Sequence, residues 1–230
     1  MQRDFTPRNG GRTPLIHAAM ALLLASLSSP VWSAMVTLPE AAVESIFAQS
    51  GFADPIDLRI GPTIQYVAPD LLDVDSSAEF NLLRNNYFGL PNTTVRLFFV
   101  DTISWCGDNG NVAGCANSTI AILDSATAAS PTVGDELIAH ELGHVFGLEH
   151  TSGDNLMNPT INDGRNALTL VQITELLDDY NVLFDINNKP YVDIAPVLVV
   201  AAATAVPLPG AALLMLGALL PLGAVRRRRT

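Results

Sequence analysis

Four side chains within eleven residues constrain this chain more than any other feature. They are His140, Glu141, His144 and His150, in the run His140-Glu141-Leu142-Gly143-His144-Val145-Phe146-Gly147-Leu148-Glu149-His150. On an α-helix, residues four apart lie on one face, so His140 and His144 aim at a common point and Glu141 projects beside it. Gly147 lacks a Cβ and takes without penalty the left-handed conformation that ends a helix. The chain can then turn and bring His150 back to the same point. Three imidazoles gathered together are costly without a cation. Around a zinc ion they leave the fourth position open for water. The remaining histidine, His17, lies near the N-terminus, so every later histidine belongs to this one pattern.

The pattern H-E-x-x-H-x-x-G-x-x-H resembles that of the metzincin superfamily of zinc endopeptidases. A second metzincin feature, a methionine in a tight turn below the metal, has its counterpart in Asn155-Leu156-Met157-Asn158-Pro159. Gly153, Asp154 and Asn155 give the connection turn character. The short loop and Thr151 after His150 are most similar to the matrixin branch. The resemblance implies a single α+β catalytic domain. It would hold a mixed twisted sheet, an active-site helix and a C-terminal helix after the Met-turn. It also implies Zn²⁺ held by His140, His144 and His150, with Glu141 as general base toward water. The activity implied is that of a metalloendopeptidase on protein or peptide substrates. Such a substrate lies extended along an edge strand, for which residues 118–123 are the candidate. Three matrixin or metzincin features have no counterpart: a cysteine switch, extra histidines for a structural zinc, and a tyrosine two residues after Met157. The competing reading is a non-catalytic or narrowly selective zinc-binding surface or matrix protein. Glu141 weighs against it, because a structural site needs no base.

Hydrophobic periodicity gives a coarse order of elements. Residues 38–50 suit a helix stopped by Gly51, and residues 57–67 a strand. Ser76-Ser77-Ala78-Glu79 fits a capping box opening a helix to about Phe88. Residues 94–103 and 118–123 read as strands. Thr132, with Asp135 three positions on, is the expected cap of the motif helix. Residues 169–180 form a further helix with Leu170, Ile173, Leu176 and Leu177 on its apolar face. The protease-like domain is drawn over 55–190, after an N-terminal helical segment at 35–54. Residues 191–205, rich in Ala, Val and Pro, are taken as a linker, although a final strand from Val192 fits them equally.

Cys106 and Cys115 flank a glycine-rich loop. In an exported protein such a pair reads as a disulfide. A loop this small contributes about 2–3 kcal/mol by the chain-entropy argument. Asp108, Asn109 and Asn111 within it are turn formers first and Ca²⁺ ligands second.

Both ends look like addresses. Residues 1–34 carry Arg3, Arg8 and Arg12, then an apolar run broken by Ser28-Ser29-Pro30, the order of a secretory signal. Residues 206–230 run Val206-Pro207-Leu208-Pro209-Gly210, an apolar stretch, then Arg226-Arg227-Arg228-Arg229. This resembles a PEP-CTERM sorting signal. The resemblance implies exosortase-type machinery as a partner, transient membrane anchoring and a destination at the cell surface or in the extracellular matrix. The arginines would stay cytoplasmic. The whole chain has a net charge of −11, and its terminal segments hold most of its basic residues. The remainder is therefore strongly acidic, which excludes nucleic acid as a partner.

Overall fold

The structure, a computed structural model, describes residues 38–106 and 112–202. The signal-like segment 1–34, the sorting-like segment 206–230 and the loop residues Asp108, Asn109 and Asn111 lie outside the described residues.

Helix α1 spans Glu40–Ile46 and buries Val43 and Ile46. The strand expected over 57–67 is two strands, β1 Asp57–Ile60 and β2 Ile64–Val67. Between them stands Pro62, which has no N–H to give a ladder. After a 3-10 turn come β3 Asp73–Val74 and α2 Ser77–Arg84. The Ser76 hydroxyl accepts from the Glu79 N–H as a capping box requires. The return bond is displaced by one residue, with the Glu79 carboxylate accepting from the Asp75 N–H at 2.8 Å. The next expected strand also divides, into β4 Val95–Val100 and β5 Thr102–Ile103. There follow β6 Gly114–Asn117, β7 Ile120–Asp124, the short helix α3 Ser125–Ala128 and the motif helix α4 Gly134–Val145. The chain continues through α5 Leu170–Leu177, β8 Leu183–Phe184 and β9 Pro190–Val200.

The strands of the main sheet run in the order β1-β9-β4-β7-β6, with β2 and β8 also pairing with β9. β1, β2, β9, β4 and β7 are parallel, whereas β6 and β8 join antiparallel. β3 and β5 form a separate parallel pair. The sheet is thus mixed and carries helices on its faces, in keeping with an α+β class.

Two readings change here. Residues 191–200 are not a linker but most of β9, a strand in the middle of the sheet. Val192, Ile194, Val197, Leu198, Val199 and Val200 are all buried. A parallel strand covered on both faces reads as a nearly continuous apolar run, which is why its composition looked featureless. Pro196 is tolerated inside it for a visible reason. The Ile194 and Val200 carbonyls accept from Gly61 and Ala68, so these positions and Pro196 face β1 and β2. The missing N–H therefore points at the gap between those two strands. The second change concerns the edge. β7 is interior, between β4 and β6, and β6 is the edge strand. Ser118 takes a positive φ of 53° in the tight connection between them. Gly-Cys-Ala-Asn has little strand propensity, so the pairing could not be read from it.

Alternation along β4 divides the core. Val95, Leu97 and Phe99 pack with α1, α4 and α5, while Phe98 and Val100 pack with α2, β3 and β5. Arg96 shares the second face and is fully buried. Its guanidinium donates to the carbonyls of Arg84 and Asn86 and to the Thr119 hydroxyl. A cation thus closes the C-terminal end of α2, where free carbonyls favour it. Thr132 does not cap α4. Val133 stands at that position without a side-chain bond, and the Thr132 hydroxyl pairs with Ser130 instead. On α5, Ile173 and Leu176 are buried as expected, but Leu170 is exposed. A complete capping box of Thr169 and Gln172 opens that helix. Among the described residues no helix is long and apolar enough to cross a membrane.

Because β9 joins β1 and β2 to the rest of the sheet, a chain ending at Lys189 should show no cooperative thermal unfolding. One ending at Ala202 should keep it, as read by calorimetry and near-UV circular dichroism.

Candidate metal centre

His140 and His144 stand one turn apart on α4. Gly147 ends the helix with φ +87°. Its N–H donates to the His144 carbonyl at 3.1 Å, and the Leu148 N–H donates to the Gly143 carbonyl at 2.9 Å. This left-handed exit returns His150 to the face that carries the other two rings. The His144 Nε2 lies 3.1 Å from the His140 Nε2 and 3.0 Å from the His150 Nε2. The three histidines form a group able to hold a metal ion.

The hydrogen bonds on the far side of two rings decide what the near side is. Nδ1 of His140 donates to the Leu156 carbonyl at 2.7 Å, and Nδ1 of His144 donates to the Leu148 carbonyl at 2.7 Å. A carbonyl only accepts, so each Nδ1 carries the hydrogen and each neutral ring presents a lone pair at Nε2. Burial holds both rings in that neutral form. It depresses the pKa of His140 to about 4, with the neighbouring histidines adding to the effect against the Leu156 carbonyl. Burial likewise lowers that of His144. Two acceptors then face each other at van der Waals distance, an arrangement that a shared cation stabilises. The donor set therefore fits a metal on its own geometry.

Glu141 lies beside the three rings, 4% exposed. Its Oε2 is buried without a hydrogen-bond partner. Burial alone pushes its pKa up to about 8. A nearby dication works against that shift by favouring the carboxylate. Edge strand β6 covers it closely, and a Cβ on Gly114 would fall 2.3 Å from Glu141 Oε1. A side chain at that point of the strand would push the Glu141 carboxylate from its place.

Met157 is fully buried under the motif helix. A Cβ on Gly143 would lie 2.4 Å from its sulfur, so the helix position between Leu142 and His144 is small to admit the methionine. The turn around Met157 is fixed by Asn155. Its Oδ1 accepts from the Met157 N–H at 2.9 Å and from Gln172 Nε2 at 3.1 Å. Its Nδ2 donates back to Gln172 Oε1 at 2.9 Å. The same turn presents the Leu156 carbonyl that orients His140. Gly114 and Gln172 were not singled out from the sequence, Gly143 stood only as a variable position of the motif, and Asn155 was read only as a turn former. A glycine inside a helical pattern and the T-x-x-Q run at 169–172 were the available signals.

A cleft of about 630 Å³ opens over the three rings and Glu141. Gly114 and Ala116 of β6 line it, together with Val133 at the cap of α4 and Leu137 in its first turns. Pro159, Thr160 and Ile161, after the methionine turn, also line it. Cys106 and Cys115 form a disulfide with Cα atoms 6.1 Å apart, and both border the cleft. It ties the edge strand to the segment after β5. No family model matches the chain, and no curated protein or solved structure matches it either.

The Gly143–Met157 contact is testable by stability. Gly143→Ala should destabilise the protein by about 1–3 kcal/mol through overpacking, despite alanine's better helix propensity. Met157→Ala should cost about 2–5 kcal/mol through the cavity it leaves. The double variant should cost less than the sum, because the clash is gone, as a denaturant-unfolding cycle would show.

Proposed function

We propose that the chain is a zinc-dependent metalloendopeptidase of metzincin type, exported and acting on protein or peptide substrates at the cell surface or in the extracellular matrix. The observation that carries this reading is the convergence of three imidazoles, two of them fixed with an Nε2 lone pair toward the others, beside a buried carboxylate with one oxygen unpartnered. Neutral imidazoles suit zinc, and three of them leave a position open. A structural site would use four protein ligands and no base. This favours catalysis over a non-catalytic zinc-binding surface protein. An antiparallel edge strand over the motif helix, with a methionine turn beneath it, supports the metzincin assignment. The disulfide agrees with an oxidising compartment. The signal-like and PEP-CTERM-like ends would supply the route, through export, transient anchoring and exosortase-type processing.

Zinc bound at such a centre supplies Lewis acidity and acidifies water toward neutral pH. The chain's own residues do the rest. His140, His144 and His150 hold the ion, and the Leu156 and Leu148 carbonyls fix two of the rings in the ligating tautomer. Glu141 takes a proton from the attacking water. The oxygen joins the peptide carbonyl carbon, the C–N bond breaks, and Glu141 passes the proton to the departing nitrogen. β6 replaces residues 118–123 as the strand offered to an extended peptide, since its outer side has no ladder partner among the described strands. Gly114 lets that strand approach the glutamate. Met157 and Asn155 support the floor.

Glu141→Gln should retain about one zinc per chain, as three ligands remain. Its kcat on a quenched peptide library should fall by about 10²–10⁴-fold with loss of the base. Undiminished cleavage by that variant would overturn the assignment.

A further inference from the structure

The Cys106–Cys115 disulfide borders the cleft, and the proposed chemistry gives it no part. Side chains along β6 alternate between its two faces. Gly114 and Ala116 face the motif helix, where Gly114 lies against the Glu141 carboxylate. Cys115, between them, packs with Cys106 on the second core, beside Phe98, Val100 and Ile103. The disulfide therefore holds the strand from the side opposite Glu141. Its other end is anchored outside the main sheet. Cys106 follows Trp105, whose N–H donates to the Val74 carbonyl of β3 at 3.2 Å and whose ring packs on Phe80 of α2. Little else secures this end of β6. Four residues pair with β7 on one side, and the other side has no partner among the described strands. Just before the strand, the Val112 N–H donates to the Ile103 carbonyl at 3.2 Å, and the Ala113 carbonyl accepts from the Asp124 N–H at 2.8 Å. Gly-Cys-Ala-Asn adds little strand propensity of its own. Both cysteines are half-buried at the cleft, which leaves the bond open to attack by a thiolate.

We infer that the Cys106–Cys115 bond is a redox latch on the proposed peptidase. Formed, it holds β6 against Glu141 and the chain is fully active. Reduced, it lets the strand loosen, and turnover falls. The inference rests on the peptidase reading and deepens it by naming a control of the same site. In the oxidising direction the two thiols pass two electrons and two protons to a protein disulfide, which leaves as a dithiol, and the S–S bond forms. A dithiol reductant runs the same exchange backwards. Thiols stay reduced in a cytoplasm and pair outside it. Before export the chain therefore holds its base loosely, and after export the bond forms and activity rises.

The test uses the zinc-loaded, oxidised protein and a phosphine reductant, which brings no thiol to the metal. Reduction is complete when both cysteines titrate as free thiols. It should lower kcat on a quenched peptide library by about 10–100-fold, the scale of loss that a small misplacement near the chemistry brings, with zinc content unchanged. Amide hydrogen exchange should quicken by about 10–100-fold in residues 113–117 and stay as it was in α4 and β9. Oxidised glutathione should restore both the rate and the protection. A variant carrying Cys106→Ala and Cys115→Ala together should behave as the reduced protein and respond to neither reagent. Unchanged turnover or unchanged exchange at 113–117 after complete reduction would overturn the inference while leaving the peptidase reading intact. Exchange rising equally through α4 and β9, or loss of zinc, would also overturn it, because the bond would then be a staple of the whole fold or of the metal ligands. If the oxidised protein cleaves no member of the library, the peptidase reading itself fails, and this inference falls with it before the bond is reduced.

Discussion

Two imidazole nitrogens 3.1 Å apart, each with its ring proton committed to a backbone carbonyl on the other side, repel unless a cation lies between them. Much of the structure near α4 follows from that constraint. The carbonyls that commit the protons come from Leu148, just past the left-handed Gly147, and from Leu156, in the turn before Met157. Helix exit and methionine turn are therefore parts of the centre and not only connections. Met157 packs on the helix where Gly143 leaves room. Asn155 links the same turn to the cap of α5 through Gln172. A centre that holds a metal needs its ligands fixed beforehand, and here each fixing contact is a hydrogen bond or a steric fit made by a neighbour in the chain.

The proposed chemistry further calls for a base, and Glu141 borders the cleft. Glu141 is buried against Gly114 of the edge strand, and nothing in the described protein satisfies its second oxygen. Such a group is expensive in the folded state and is kept where chemistry calls for it. The edge strand that covers it is short, and the disulfide to Cys106 adds a covalent hold. At the far side of the sheet β9 supplies the continuity, since it alone joins β1 and β2 to β4 among the described strands. The motif helix packs against one face of that sheet through Leu137, Ile138, Leu142 and Val145.

The local geometry of the centre was legible in the sequence because it depends on spacing. A four-residue step from His140 to His144 and a glycine at the helix exit translate directly into positions, and Gly147 takes the positive φ expected of it. The disulfide was legible for a similar reason, as an isolated pair a few residues apart. What failed to show was long-range pairing. β6 reads as loop because its residues are small and polar, and only β7 beside it makes a strand of it. β9 reads as a linker because a strand buried on both faces has no alternation. Thr132 had the right chemistry for a cap, but the helix starts one residue later, with Val133 at the cap and no side-chain bond there. Glu136 looked like an ordinary acidic residue of a first helical turn. Its burial and its bond to a loop 28 residues away come only from the fold.

The most direct test of the account is the metal itself. A purified, oxidised chain spanning residues 35–205 should contain about one zinc, with X-ray absorption showing imidazole nitrogens at about 2.0–2.1 Å. Removing the ion with a chelator should abolish cleavage of a quenched peptide library, and returning zinc should restore it. A folded chain that binds no zinc at His140, His144 and His150, or cleavage that survives complete removal of the metal, would contradict the account.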